Sequence, residues 1–152
     1  MIKKQDAPIS DTDLKKLMSD DMCFAMRARR LSRLLTRRYE DELRKYGLTV
    51  PQFTLLAAIV KHEPIAPADL GRRLDIEKST LSRTVAKMLE NNWLEERIGK
   101  GVRQGLATTV LGRAKLRDAA PSWKAIQARA IETFGPNSDD MLDRMIDMAH
   151  KL

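Results

Sequence analysis

Cysteine and histidine, which build most disulfides, metal sites and nucleophilic centres, are scarce in this chain. The single cysteine, Cys23, excludes an internal disulfide framework. The two histidines, His62 and His150, lie far apart with no second cysteine, so the sequence predicts no metal site of familiar spacing. A catalytic triad, a glycine-rich phosphate loop and a pair of catalytic carboxylates are also missing. We therefore expect neither an enzyme nor a bound cofactor.

Long apolar runs are missing as well. No stretch is long enough to span a membrane, and the polar start of the chain, MIKKQDAPISDTD, lacks the apolar core of a signal peptide. These features predict a cytoplasmic protein without a membrane partner. Internal repeats and low-complexity segments are absent too, so the 152 residues are expected to form one domain, 1–152, with a sizeable core.

Positive charge, by contrast, is in excess. Lysines and arginines number 28 against 21 aspartates and glutamates, which gives a formal net charge of +7. This balance favours an anionic partner, with nucleic acid the first candidate and an anionic membrane surface the second. Basic charge alone is weak evidence, because many soluble proteins carry it.

Residues 67–92 predict a helix, a tight turn and a second helix. Pro67 suits the first turn of a helix, because its missing N–H costs nothing there. Asp75 and Ile76 interrupt the helical spacing, and the second helix is expected from about Glu77. Its apolar residues recur at helical spacing and predict a buried face. These residues are Leu81, Val85, Met88 and Leu89.

The opposite face of this second helix is polar, with Lys78 in the first turn and Lys87 on the flank. Small residues let a helix axis approach a major groove, hydroxyls bond bases or phosphates, and arginine bonds guanine bidentately. The pattern therefore predicts a helix that reads DNA. A surface helix pair with a solvated polar face is the alternative, because the motif is generic. The polar face carries Ser79, Ser82, Arg83 and Ala86.

The segment after the helix pair, residues 93–109, predicts a small antiparallel hairpin. Three glycines, the last of them Gly105, mark a turn with flexible flanks, and residues 106–108 are expected to form the returning strand. A hairpin directly after a helix-turn-helix is a wing, and a basic wing tip suits a minor groove. A plain surface hairpin is the alternative. The basic side chains are Arg97 on the approach, with Lys100 and Arg103 at the tip.

Helical spacing dominates before the helix pair. Residues 11–46 are expected to be helical, with one start signal near Ser10 or Asp11 and a second at Ser19, and the long helix ends at Gly47. Thr49 and Gln52 then form a capping pair that opens another helix. The first helix is too long to be covered by one small domain, so part of it is expected to contact another chain. Its arginines form either a solvated face or a set of contacts to a partner's acids or to phosphates.

Residues 109–152 predict two further helices. Pro121 is expected to kink or briefly break the first, and Gly135 with Pro136 separates the two. The last helix carries an apolar stripe. Together with the length of the first helix, this stripe predicts a homodimer joined by the terminal helices. The stripe consists of Leu142, Met145, Ile146, Ala149 and Leu152.

This order of elements resembles the MarR (multiple antibiotic resistance regulator) family of bacterial transcription regulators. The resemblance implies a mainly α fold with a small β-hairpin wing. Its winged helix-turn-helix, 47–108, would be flanked by dimerisation helices, 11–46 and 109–152. The order of elements matches over almost the whole chain, and the matching segments are RRYEDELRKYGLTVPQFTLL (37–56), DLGRRLDIEKSTLSRTVAKMLENNWLEE (69–96) and TTVLGRAKL (108–116).

The resemblance also implies a homodimeric regulator, a repressor by expectation, that binds a palindromic operator on double-stranded DNA and is released by a small molecule or by oxidation. Arg103 is the nearest match to the family's wing-tip arginine, although the wing is short and no aspartate precedes it in an Asp-x-Arg motif. A dimeric helical adaptor or paralogue without DNA binding is the alternative, supported by the short wing alone. By position, the groove-contacting residues of the family correspond to Ser79, Thr80, Ser82 and Arg83.

Cys23 is a candidate redox sensor. MCFAMRARRLSRLLTRRY, residues 22–39, resembles the first helix of the family's organic-hydroperoxide sensors, in which an early cysteine before phenylalanine is the sensor. A helix start and Arg27 one turn later both favour the reactive thiolate. Against sensing, Tyr39 is displaced by two residues from the matching tyrosine, and Val50 replaces the second one. The alternative is a cysteine that acts as a small hydrophobe.

Overall fold

A computed structural model describes residues 9–19, 23–99 and 102–152 of the chain. The chain divides into two units, Met1–Thr36 and Arg37–Leu152. None of the helices in the described ranges combines the length and the apolar character needed to cross a membrane. The expected single domain over residues 1–152 stays a prediction.

Two helices precede the first predicted cap. They are α1 (Asp11–Ser19) and α2 (Phe24–Leu43), and a 3₁₀ helix, Arg44–Tyr46, follows directly. No proline or glycine interrupts α2, which is therefore free to run for 20 residues. The helix expected over residues 11–46 is confirmed in these segments, with a tighter last turn, while residues 20–22 lie outside the described part.

Both predicted caps around the next turn are confirmed. Gly47 adopts the left-handed conformation, with φ 67°, and its N–H donates to the carbonyl of Arg44 at 2.9 Å. The Thr49 hydroxyl accepts the Gln52 N–H at 3.3 Å, and the Gln52 side chain accepts the Thr49 N–H at 2.9 Å. This reciprocal capping box opens α3 (Val50–His62).

The predicted helix-turn-helix consists of α4 (Pro67–Leu74) and α5 (Lys78–Glu90). Asp75 ends α4 in the left-handed region at φ 50°, which aspartate tolerates better than most residues. The Ile76 N–H then donates to the carbonyl of Gly71 at 3.0 Å. A Cβ on Gly71 would lie 3.3 Å from the Ile76 carbonyl oxygen, so the glycine lets the turn fold closely onto α4.

The hairpin is formed by β1 (Leu94–Gly99) and β2 (Val102–Thr108), which pair antiparallel. The returning strand begins earlier than the predicted residues 106–108. Gly105 does not belong to the turn, as the glycine pattern suggested, because it pairs with Arg97 inside the ladder. A glycine remains extended where strand pairing holds its backbone, and the pattern of glycines alone does not reveal that pairing.

The remaining helices are α6 (Val110–Phe134) and α7 (Ser138–Ala149). Pro121 lies inside α6 without interrupting it, so the predicted brief break is wrong, while a kink stays a prediction. Proline removes a single backbone donor, and packing on both sides of it compensates for this loss: Ala119 is fully buried and Trp123 stacks on Phe53 at 5.7 Å. The predicted stop between α6 and α7 is confirmed.

The core of the second unit surrounds α3, which packs against α5, β2 and α6. Helix α3 is apolar on most of its circumference and is therefore buried rather than amphipathic. This helix therefore supports both α5 and the hairpin. Its most deeply buried side chains are Leu55, Leu56 and Ile59.

Candidate nucleic-acid interface

Helix α5 has one buried and one exposed face. Leu81, Val85 and Met88 are 4%, 8% and 0% exposed, because they pack into the core around α3. The polar residues predicted for the other side are all exposed, so one rigid helix presents them together. They are Lys78, Ser79, Thr80, Ser82, Arg83 and Lys87.

The start of α5 offers backbone donors as well as a cation. Glu77 is the N-cap residue, and its side chain makes no capping hydrogen bond. The first N–H groups of a helix lack intrahelical partners and favour anions such as phosphate. Lys78 adds a positive charge in the same turn. This helix end therefore suits a phosphate next to the groove that the rest of α5 would enter.

The hairpin brings only part of its predicted basic set into the described residues. Arg97 is exposed and pairs with Glu95 at 2.5 Å, two residues away on the same face of β1, so its charge is partly compensated. Lys100 lies outside the described residues. Arg103 is the second residue of β2 and therefore lies in the strand beside the tip rather than at the tip itself.

Two functional features were not predicted from the sequence. One is the Glu63 carboxylate, which contacts both Thr108 at the end of β2 and Arg113 in the first turn of α6. The other is a cleft of about 790 Å³ between α4 and α5. The Glu63 contacts join residues 45 or more positions apart and leave no local sequence pattern, so only a homologue alignment or a structure would reveal them.

The cleft has a mostly apolar lining that includes a few charged and hydroxyl groups. Its polar lining residues include Arg72, Lys78 and Ser82. Two of these, Lys78 and Ser82, also belong to the exposed polar face of α5. Its volume lies in the range of small-molecule sites. Among the described residues, no group of three His, Cys, Asp or Glu side chains lies close enough to hold a metal ion.

The candidate sensor Cys23 is exposed and directly precedes α2, and its carbonyl accepts the Arg27 N–H at 3.1 Å. In the second unit, the Tyr39 hydroxyl donates to the Gln127 side-chain oxygen at 2.5 Å. Burial raises the pKa of the Tyr39 phenol, which therefore remains a neutral donor. Tyr39 thus has a local structural role of its own.

The helix-turn-helix segment matches known regulators in sequence. A model of the MarR family matches residues 46–106. The chain is 24% identical over 133 residues to the HTH-type transcriptional regulator SarZ of Staphylococcus haemolyticus, which covers 88% of each protein. It is 27% identical over 75 residues to YwoH of Bacillus subtilis, an uncharacterized HTH-type transcriptional regulator, which covers 49% of this chain and 55% of that protein.

The fold matches solved structures over almost their whole length. The M. tuberculosis transcriptional regulator MosR is 29% identical, with a TM-score of 0.77 over 87% of this chain and 98% of that chain. MosR in complex with DNA is 28% identical, with a TM-score of 0.74 over 86% of this chain and 100% of that chain. These matches confirm the predicted mainly α fold with a β-hairpin wing.

Proposed function

We propose that the chain, which matches the MarR family of winged-helix transcription regulators in sequence and fold, binds double-stranded DNA sequence-specifically and regulates transcription in the cytoplasm. The observation that carries this proposal is the two-sided character of α5, with a buried apolar face and an exposed face of hydroxyl and basic side chains. Such a helix suits a major groove. The structure of MosR with DNA, at 28% identity, supports the same role.

A DNA titration tests this proposal. Purified protein is incubated with genomic fragments of its host, and the retained fragments are then compared with random duplexes of equal length at several salt concentrations. We expect retained fragments to bind about 10³-fold or more tightly than random DNA. We also expect both affinities to fall as salt rises, since phosphate contacts release counterions. Equal affinity for both kinds of duplex would contradict sequence-specific binding.

We further propose that the protein is a homodimer that represses transcription from a palindromic operator. The support is the stripe on α7, where Leu142, Met145 and Ile146 are 38%, 41% and 51% exposed in the single chain. A contiguous exposed apolar surface commonly marks a protein contact. Two-fold symmetry would centre the half-sites roughly 34 Å apart, one turn of DNA.

Charge placed on the stripe tests the dimer. Ile146→Glu should give a folded monomer with weak DNA binding, because a carboxylate in an apolar interface is desolvated without a partner. Arg144→Glu, on the opposite side of α7, is the control and should remain dimeric. Light scattering coupled to gel filtration measures the mass of both variants. A dimeric Ile146→Glu protein would exclude this stripe as the interface.

The alternative, an adaptor without DNA binding, had the short wing as its support. The returning strand β2 is longer than predicted, but the hairpin lies within the predicted residues 93–109 and is still short. The same titration separates the two functions: an adaptor would show no salt-sensitive retention on any duplex.

Release by a small molecule is the next part of the proposal. The cleft between α4 and α5 supports it, because Ser82 and Lys78 line the cleft and also belong to the face proposed to meet DNA. A ligand in the cleft would therefore compete with DNA. Screening for compounds that lower DNA affinity tests this mechanism, with Ala68→Leu, at a lining residue of the cleft, as the variant that fills it. A compound that acts equally on this variant would bind elsewhere.

Release by oxidation is the other route that we propose, with Cys23 as the sensor. Its support is the exposure of Cys23 beside the start of α2. Under an organic hydroperoxide, the wild-type protein should lose DNA binding, whereas Cys23→Ser should bind normally and ignore the oxidant. If the wild-type protein ignores the oxidant, or if the variant still responds, Cys23 is a structural residue.

A further inference from the structure

The hairpin is held along its length by three consecutive residues, Glu63, Pro64 and Ile65, which connect α3 to α4. We call this segment the strap. Glu63 contacts the base of the hairpin at Thr108, Ile65 pairs with Leu106 further along β2, and Pro64 packs against the far end of β1. The strap thus meets the hairpin at three levels between its base and its tip.

The contact at the base is made by a largely buried carboxylate. The Glu63 side chain is 11% exposed, and one of its oxygens accepts both the Thr108 N–H at 2.7 Å and the Thr108 hydroxyl at 2.8 Å. Its other oxygen pairs with Arg113 on α6. A desolvated carboxylate is costly without donors, and hydrogen bonds to a charged acceptor are the strong ones. This carboxylate therefore fixes both the position and the orientation of the last residue of β2.

The middle contact is a backbone bridge. The Ile65 N–H donates to the Leu106 carbonyl at 3.1 Å, and the Leu106 N–H donates to the Ile65 carbonyl at 2.8 Å. Both side chains are buried in the core. The bridge adds a one-residue strand to the edge of the hairpin and limits sideways movement of β2.

The contact near the tip depends on the absence of a side chain. A Cβ on Gly99 would lie 2.3 Å from Cγ of Pro64, closer than real Cβ atoms approach other atoms. The proline ring has little freedom to move aside. Glycine at this position therefore lets the far end of β1 lie directly on the strap.

We propose that Glu63 is a positioning residue for DNA recognition, because through the strap it sets where the hairpin meets the duplex relative to α5. Helix α5 and the strap are both anchored to the core around α3, through Leu81 and Ile65 respectively. The spacing between recognition helix and wing is then fixed before DNA binds, which avoids an ordering cost on binding. This inference rests on the proposed function.

Hydrogen exchange without DNA tests the strap independently of DNA binding. Glu63→Ala should accelerate exchange of hairpin amides such as Leu106 by about 10-fold or more, while α3 amides such as Ile59 keep their protection. Glu63→Gln should retain part of the protection, because its amide oxygen still accepts from Thr108 while its amide nitrogen no longer pairs with Arg113. Glu132→Ala, an exposed site on α6, is the charge-matched control. Equal acceleration in the hairpin and α3 would indicate simple destabilisation and overturn the proposal.

DNA titrations of the same variants then test positioning. Glu63→Ala should lower affinity about 10-fold and flatten the salt slope by one to two units per dimer, because a displaced hairpin loses phosphate contacts. Base preference, which α5 carries, should not change. Gly99→Ala should produce the same effects with Glu63 intact, since its Cβ would push the hairpin off Pro64. An unchanged salt slope in both variants would exclude positioning. If the wild-type protein itself binds no DNA, the proposed function is refuted, and the hydrogen-exchange result alone decides whether Glu63 holds the hairpin.

Discussion

Helices α5 and α7 have almost the same length and the same amphipathic pattern, yet their apolar faces are buried to different extents. Leu81, Val85 and Met88 of α5 are at most 8% exposed, whereas Leu142, Met145 and Ile146 of α7 are 38% to 51% exposed. The apolar face of α5 is covered by its own core, which leaves its polar face available to a ligand. The apolar face of α7 remains open in the single chain. Equal patterns therefore serve two purposes: an internal contact for α5 and, in our proposal, a contact with a second copy of the chain for α7.

The largest difference should appear when one methionine is shortened on each helix. Met88→Ala should lower the free energy of unfolding by about 2–5 kcal/mol, because Met88 is fully buried and its loss leaves a cavity. Met145→Ala should change the stability of the single chain far less, since Met145 is 41% exposed. Urea unfolding at several protein concentrations measures both. A similar loss at both sites, independent of concentration, would remove the distinction between the two helices.

Helix caps sharpen the comparison at a smaller scale. Thr109, at the junction of hairpin and α6, accepts the Gly112 N–H at 3.0 Å and donates to the Asn92 carbonyl at 2.6 Å. Thr109→Ala should therefore lower the free energy of unfolding by about 1 kcal/mol or slightly more. Asn137, the N-cap of α7, makes no such side-chain bond. Asn137→Ala should lower the free energy of unfolding clearly less. Thermal unfolding of both variants measures this difference, and an equal loss would show that α7 is fixed as firmly as α6.

The smallest effect concerns the end of α7. His150 Nε2 lies 3.0 Å from the Asp75 carboxylate in the helix-turn-helix, and both side chains are more than half exposed. An exposed pair of this kind contributes about 0–1 kcal/mol. His150→Ala should therefore change neither thermal stability nor DNA affinity by more than that amount. A larger loss of stability or affinity would mean that α7 is held firmly against the helix-turn-helix. It would contradict the view that α7 differs from α5 in being weakly attached to the rest of the chain.

The sequence was sufficient where local chemistry decides the structure. The Thr49–Gln52 capping box, the glycine cap at Gly47 and the two faces of α5 depend on residues within a few positions, and the structure confirms all of them. The turn predicted at Gly105 and the break predicted at Pro121 are wrong for a common reason. Both residues favour breaks locally, but strand pairing with Arg97 and the packing beside Trp123 override that preference.

The candidate site was only partly predictable for the same physical reason. The exposed residues of α5 follow from helical spacing, and Ser82 and Arg83 lie on the exposed face as predicted. The hairpin's register and its attachment to Glu63 depend on contacts between distant parts of the chain. Periodicity does not encode such contacts. The sequence therefore indicated which helix face is exposed, and only the structure showed how the hairpin is held against the rest.

The central claim is that α5 reads DNA, and a matched pair of arginines tests it most directly. Arg83 on α5 and Arg144 on α7 are both exposed, so replacing either with alanine removes the same charge. Affinities for an operator and for a random duplex are measured at several salt concentrations. Arg83→Ala should weaken operator binding by about 1–3 kcal/mol and relax preference at one base pair per half-site, while Arg144→Ala should change operator and random binding equally and slightly. Unchanged affinity and base preference in Arg83→Ala would contradict the assignment of α5 as the reading helix.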